Sequence, residues 1–207
     1  MSATARFITF EGIDGSGKST QARRLHNYLR QGGSDAILTR EPGGSAGAEE
    51  IRALVLQGDP ARWSAETELL LFTAARRDHL ERLILPALDA GQTVICDRFA
   101  DSTRLYQGLS RGDLRGKVDA LHDLMIGVEP DLTLLIDMDP EAALSRAKAR
   151  QTAEERFEDF GLDLQRKMRA GFLALAEEFP KRIRLIDGNQ SEDAVARDVI
   201  AAVAQSA

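Results

Sequence analysis

A glycine spacing near the N-terminus narrows most sharply what this chain can fold into. Gly12, Gly15 and Gly17 punctuate the stretch Gly12-Ile13-Asp14-Gly15-Ser16-Gly17-Lys18-Ser19, which fits G-x-x-x-x-G-K-[ST]. It lies between a short β-rich apolar run, Phe7–Phe10, and a helical pattern opening at Lys18, the strand–turn–helix context in which such a loop works. Glycines let the backbone turn tightly enough for its N–H groups to point inward. The N-terminus of the following helix adds partial positive charge, so the turn is a ready seat for a phosphate. Lys18 is placed to reach β/γ-phosphates, the Ser19 hydroxyl to ligate Mg²⁺, and Thr20 completes the loop. The motif implies nucleoside triphosphate binding without choosing among kinase, GTPase switch and motor.

The rest of the chain repeats the alternation. Ala36–Thr39, Thr93–Cys96, Leu132–Ile136 and Arg184–Ile186 are further short runs, each a candidate buried strand. None alternates strictly, which suits parallel strands covered on both faces. Between them lie helical stretches at Lys18–Gln31, Glu66–Leu88, Asp113–Gly127, Pro140–Arg150, Leu164–Phe179 and Ser191–Gln205. Pro86 should disturb the end of the second and Pro180 stop the fifth, while Ser191 caps the last. The pattern predicts one α/β domain with a mainly parallel sheet, in which Gly43–Gly47 and Gln151–Glu155 are loops.

Composition removes several classes. The 207 residues carry 33 Asp and Glu against 27 Lys and Arg, a net charge of −6. That argues against a chain-wide grip on nucleic acid. A single cysteine, Cys96, excludes an internal disulfide framework. No apolar run approaches the roughly 18 residues of a membrane helix, and Met1–Arg6 lacks a leader pattern. The expectation is a cytoplasmic protein with neither membrane nor nucleic-acid partner.

In a doubly wound sheet, ligands gather at the carboxyl ends of the strands. Asp97 and Asp137 end two of the runs. Asp97, with Arg98 beside it as a phosphate clamp, is read as a metal-holding acid, whereas Asp139, before Pro140, is read as a helix cap. Arg40, Arg52, Arg76 and Arg98 fall at or beyond strand ends, and Arg146, Lys148, Arg150 and Arg156 form a basic segment suited to closing over polyphosphate.

Together these residues resemble the thymidylate kinase family of P-loop nucleoside monophosphate kinases. The match is carried by Phe10–Thr20, by Thr39-Arg40-Glu41-Pro42-Gly43-Gly44, by Leu71-Phe72-Thr73-Ala74-Ala75-Arg76, by Asp97-Arg98-Phe99 with Asp101–Gly108, and by the basic segment Arg146–Glu158. The resemblance implies a three-layer α/β/α P-loop NTPase fold with a five-stranded parallel sheet, helices around it and a lid near 144–158. Residues 1–207 then form a single kinase domain. It implies the reaction ATP + dTMP → ADP + dTDP with Mg²⁺, and a homodimer. Phe72 would stack on thymine, Arg76 would bond its carbonyl edge and Thr103 would sit beside it. Tyr106 would crowd the sugar 2′ position and Asp14 would accept from the 3′-hydroxyl. Arg98 would hold the acceptor phosphate, with Arg40 or Arg52 assisting, and Gln165 would approach the nucleotide. Arg146 would lie over adenine, which Gly188-Asn189-Gln190 approaches through backbone groups. Arg150, with Arg156 in reserve, would clamp the transferring phosphoryl group, making Lys18, Arg98 and Arg150 the catalytic set. The phosphate loop holds no basic residue between Gly12 and Gly17 and the lid is basic instead, as in the bacterial type; Phe99 stands where tyrosine is common. The alternative in the same class is another nucleoside monophosphate or deoxynucleoside kinase. A GTPase switch lacks its Asn-Lys-x-Asp guanine motif here.

Overall fold

The computed structural model describes residues 5–59, 62–109, 112–149 and 161–206. Five strands, β1 (Phe7–Glu11), β2 (Ala36–Arg40), β3 (Thr93–Asp97), β4 (Leu132–Asp137) and β5 (Ile183–Asp187), form one parallel sheet in the order β2-β3-β1-β4-β5. Each expected strand is present, extended by a residue or so at an end. The order reverses at β1, whose neighbours are β3 and β4, so the loop leaving β1 opens into the crevice where such sheets bind ligands. Register aligns Phe10 and Arg40 with Asp97 and places Asp137 beside Asp187, so one edge of the sheet gathers polar strand ends.

Alternation along β1 explains the layers. Ile8 and Phe10 enter a core with Leu25 of α1 (Lys18–Gln31) and Val195 and Val199 of α9 (Glu192–Gln205). Phe7, on the other face, packs with Leu80, Ile84 and Phe99. A third cluster joins Ile13 and Leu135 to Leu105 of α5 (Ala100–Tyr106), Ala143 of α7 (Pro140–Ala149) and Phe172 of α8 (Gly161–Glu178). The result is the expected α/β/α sandwich. Ser191 caps α9 as expected, accepting from Ala194 N, and Asp139 caps α7, accepting from Ala142 N at 3.0 Å.

The stretch 66–88 departs from one continuous helix. α3 (Ala65–His79) passes through a π turn at Leu80–Ile84 into α4 (Leu85–Asp89). Pro86 lacks an N–H and its ring crowds the preceding turn; the wide turn, in which Leu85 N donates to Leu80 O, lets the chain stay helical around it. Two helices were not legible. α2 (Ala46–Leu56) begins inside the expected loop 43–47, because Gly43 and Gly44 make the turn (φ 124° and 92°) and the helix starts directly after Ser45. α5 is short and buried on almost every side, so it shows no amphipathic stripe. α6 (Arg115–Met125) lies where expected. The expected loop 151–155 lies outside the described residues.

Candidate active site

The phosphate loop joins β1 to α1. Gly12 and Gly15 take φ of 142° and 82°, and a Cβ on either would strike backbone: Ile136 O at 2.6 Å for Gly12, Ala143 O at 1.9 Å for Gly15. Only glycine lets the loop press this closely against β4 and α7. Lys18 is buried, its Nζ donating to Ile13 O at 3.2 Å with Asp14 at 3.6 Å. Burial and the Arg98 charge hold its pKa below the ordinary lysine range despite Asp14, Asp97 and Glu11 nearby. The Ser16 hydroxyl is buried with no partner among the described residues.

Beside the loop an open cleft runs between α2, α3 and α5. Its walls bring together Asp14, Arg52, Phe72, Arg76, Arg98, Thr103 and Tyr106, seven of the expected acceptor-site residues, from four parts of the chain. Arg98 is a non-glycine residue at φ 72°, the sort of strained backbone that persists when surrounding bonds fix it. Its N–H donates to Phe10 O, its Nη1 to Ser102 Oγ at 2.9 Å and its Nη2 to Asp14 Oδ1 at 2.5 Å. The guanidinium lies over the Tyr106 ring, whose hydroxyl donates to Asp14 Oδ2 at 3.1 Å. Burial raises the Asp14 pKa, but Arg98 and Lys18 outweigh it and the carboxyl stays below its ordinary range. Burial, with the Asp14 charge, pushes the Tyr106 phenol up.

Arg76 shows how the far end of the cleft is held. It is buried, with Nε donating to Glu41 Oε2 at 2.7 Å and Nη2 to Thr103 Oγ1 at 2.9 Å. Nη1 has no protein partner among the described residues. The second Glu41 oxygen faces His79 Nδ1 at 3.1 Å, and His79 Nε2 meets Thr39 Oγ1 at 2.8 Å. The Glu41–Pro42 peptide is cis. Glu41 lies within the Thr39–Gly44 stretch, and nothing adjacent to His79 in the sequence marks it. The available signal was an Arg and a His three residues apart on α3, a spacing that puts both on one helix face.

Other expectations fare differently. Arg40 is half exposed, pairs with Glu49 at 3.1 Å and does not line the cleft. Arg52 does, donating to Pro42 O. Gln165 is buried on α8, outside the cleft lining, with Oε1 unpartnered among the described residues. Arg146 is exposed on α7, its Nη1 at 3.5 Å from Met138 Sδ. Arg150 and Arg156 lie outside the described residues. The two strand-end acids divide cleanly. Asp137 is held by both ends of the Arg169 fork at 2.6 and 2.7 Å. Asp97 keeps a buried Oδ1 with no hydrogen-bond partner among the described residues. A hard, unpartnered carboxylate oxygen close to Lys18 and the phosphate loop fits a divalent cation shared with phosphates.

A family model described as thymidylate kinase matches residues 10–199. The chain belongs to the thymidylate kinase family. It is 74% identical over 199 residues to a thymidylate kinase of Ruegeria pomeroyi, covering 96% of this chain and 94% of that one. A thymidylate kinase of Dinoroseobacter shibae is 67% identical, with 97% of each chain covered. Among solved structures, a thymidylate kinase from Ehrlichia chaffeensis superposes with a TM-score of 0.78 at 36% identity, covering 97% of this chain and 99% of that one.

Proposed function

We infer that this protein phosphorylates dTMP to dTDP with ATP as donor. The observation that carries the reading is the cleft beside the phosphate loop, which Phe72, Arg76 and Thr103 line together, with Arg76 held by Glu41 and Thr103. A flat aromatic and a donor-only guanidinium suit a pyrimidine ring bearing a carbonyl at position 4. An amino group there would set donor against donor. Phe72, Arg76 and Thr103 then read the base, Tyr106 and Asp14 the deoxyribose, and Arg98 with Arg52 the phosphate.

In the reaction an oxygen of the acceptor phosphate attacks the γ-phosphorus of ATP, a new P–O bond forms, and the bond to the β,γ-bridging oxygen breaks to release ADP. The acceptor is already an anion, so no strong general base is required. The obstacle is repulsion between two anions, which Lys18 and Arg98 counter by charge and placement. Mg²⁺, held by the Ser19 hydroxyl and Asp97, would add positive charge at the donor phosphates when bound. Arg150, from the lid near 144–158, is our choice for the transferring group, and Arg146 for adenine. Residues 1–207 act as one kinase domain. No described helix is long and apolar enough to cross a membrane, and we place the enzyme in the cytoplasm. We also propose a homodimer through α3 and α6. The support is an apolar groove lined by Leu69, Leu70, Ala120, Leu121 and Leu124, in which Leu70 is 57% and Leu124 78% exposed. A Leu124→Glu chain that sediments as a monomer would support that assignment, and an unchanged oligomeric state would remove it.

The deciding experiment is ADP release with ATP and Mg²⁺ against dTMP, dUMP, dCMP, dGMP and dAMP. Strong dependence on dTMP with dTDP as product is expected. Preference for another monophosphate would keep the kinase and discard the base-reading roles of Phe72, Arg76 and Thr103.

A further inference from the structure

Glu11 ends β1, one residue before the phosphate loop, yet its side chain turns toward the acceptor cleft. It is 1% exposed. Oε1 accepts from Phe99 N at 2.8 Å and Ser102 N at 3.1 Å, and Oε2 accepts from Ser102 Oγ at 2.6 Å. Phe99, at the N-cap of α5, offers no capping side chain, so the carboxylate from β1 supplies the cap. The Ser102 hydroxyl, while donating to Glu11, accepts from Arg98 Nη1 at 2.9 Å. A buried acid on the donor strand thus ends, through one hydroxyl, on the arginine read as the acceptor-phosphate ligand.

We propose that Glu11 is the positioning residue for Arg98, setting the guanidinium through Ser102 so that acceptor binding depends on a carboxylate at the root of the donor loop. This rests on the reading of Arg98 as the acceptor-phosphate ligand. The hydrogen-bond polarity is restrictive. The Ser102 hydroxyl has one proton, and Arg98 can only donate. That proton must go to an acceptor on Glu11, while both backbone N–H groups need the other oxygen. Only an ionised carboxylate accepts on both sides. An amide at position 11 satisfies the backbone donors or the hydroxyl proton, not both, and the relay to Arg98 loses its fixed direction.

The charged groups around Glu11 are Arg98 and Asp101 at the start of α5 and Lys18 on α1, with the Cys96 thiol on β3. Burial, reinforced by Asp101 and opposed by Arg98 and the Ser102 and Phe99 hydrogen bonds, lifts the carboxyl to a pKa of about 7. A switch of this relay therefore lies within the working pH range.

The test is steady-state kinetics of Glu11→Gln and Ser102→Ala on the full chain. Ser102→Ala keeps both backbone contacts to Glu11 and removes only the relay. We expect its KM for dTMP to rise about tenfold, the scale of a lost hydrogen bond to a charged group, while KM for ATP changes about twofold or less. Glu11→Gln should show the same split, and its KM(dTMP) ratio to the parent should narrow toward one as pH falls below about 7. Equal losses toward ATP and dTMP, an unchanged KM for dTMP in folded Ser102→Ala, or a ratio constant across pH would each overturn the proposal. If Glu11→Gln does not fold, Ser102→Ala alone decides. A parent enzyme that turns over a different monophosphate would instead fail the functional reading, which the same parent assay reports separately.

Discussion

At the phosphate loop Ser16 Oγ has no partner among the described residues, and Lys18 bonds Ile13 O and pairs with Asp14. At the acceptor cleft nearly every polar side chain is already bound to another: Arg76 to Glu41 and Thr103, Glu41 to His79, Arg98 to Asp14 and Ser102, Tyr106 to Asp14. The loop is shaped by close backbone approach that only glycine allows; the cleft is shaped by a lattice of buried charges. A loop of the first kind fits any triphosphate, because phosphate oxygens demand only donors and positive charge. A lattice of the second kind fixes donors in space before the ligand arrives, which is what discrimination between bases requires. The comparison implies that substitutions on the two sides should fail differently.

The largest effect should come from Lys18→Ala. If Lys18 meets the transferring phosphate as proposed, removing its charge should lower kcat by about a hundredfold to a thousandfold. The fold should survive, because among the described residues Lys18 holds Ile13 O and Asp14 alone, and burial already disfavours its charged form. ADP release and a thermal melt on one preparation check both halves; a collapsed melting temperature would erase the contrast between the two sides. Arg76→Met should behave in the opposite way. It strips Glu41 of its main counter-charge inside the protein, at a cost of about 3–5 kcal/mol in unfolding free energy, and weakens dTMP binding together with stability. Urea unfolding measures it. A stability loss no larger than that of Lys18→Ala would mean the lattice is not what holds the cleft.

The same contrast sets what could be read from the sequence. Local rules found the loop, because its glycines, Lys18 and Ser19 are contiguous and the flanking strand and helix are strongly patterned. They also found Asp139 and Ser191 as caps, since capping spans three residues. Arg76 and Arg98 stood out by their places at or beyond strand ends, Phe72, Thr103 and Tyr106 only through resemblance, and all five line one cleft. What held them was invisible. Glu41 joins Arg76 across 35 positions, and Glu11 joins Ser102 across 91. No periodicity announces such a pair, and a buried glutamate reads as a solvated one in a list of residues. α5 has no amphipathic stripe for the same reason: Asp101, Ser102, Thr103 and Arg104 are polar yet buried by partners supplied from elsewhere. Arg40 shows the converse, a motif residue that the fold leaves paired with Glu49 at the surface.

Glu11 sharpens the comparison through pH. Its carboxyl titrates near 7 in the folded protein against 4.5 for the ordinary group. The folded state therefore holds a proton that the unfolded chain has already lost between those values. Stability from this group is full below the unfolded pKa and falls as pH rises through the folded one. Glu11→Gln cannot titrate, so its stability relative to the parent should improve with rising pH, by about 2 kcal/mol between about pH 5.5 and about pH 8. Denaturation midpoints of the two proteins across that range measure it. A constant difference would show that the cleft's hydrogen bonds keep Glu11 ionised throughout.

The smallest effect should mark where one side ends and the other begins. Asp14 belongs to the phosphate loop by sequence, but its carboxylate is held by Arg98 and Tyr106 as well as lying near Lys18. Tyr106→Phe removes one hydroxyl and leaves the ring under the Arg98 guanidinium, so the cleft wall keeps its shape. The lost bond to a carboxylate is worth about 1–2 kcal/mol where it is made. If Asp14 works for the acceptor, as its Arg98 and Tyr106 bonds suggest, KM for dTMP should rise about fivefold to thirtyfold while KM for ATP stays constant. If the loss appears in KM for ATP instead, Tyr106 acts on the phosphate loop through Asp14, and the boundary between the generic seat and the selective one runs on the acceptor side of that residue.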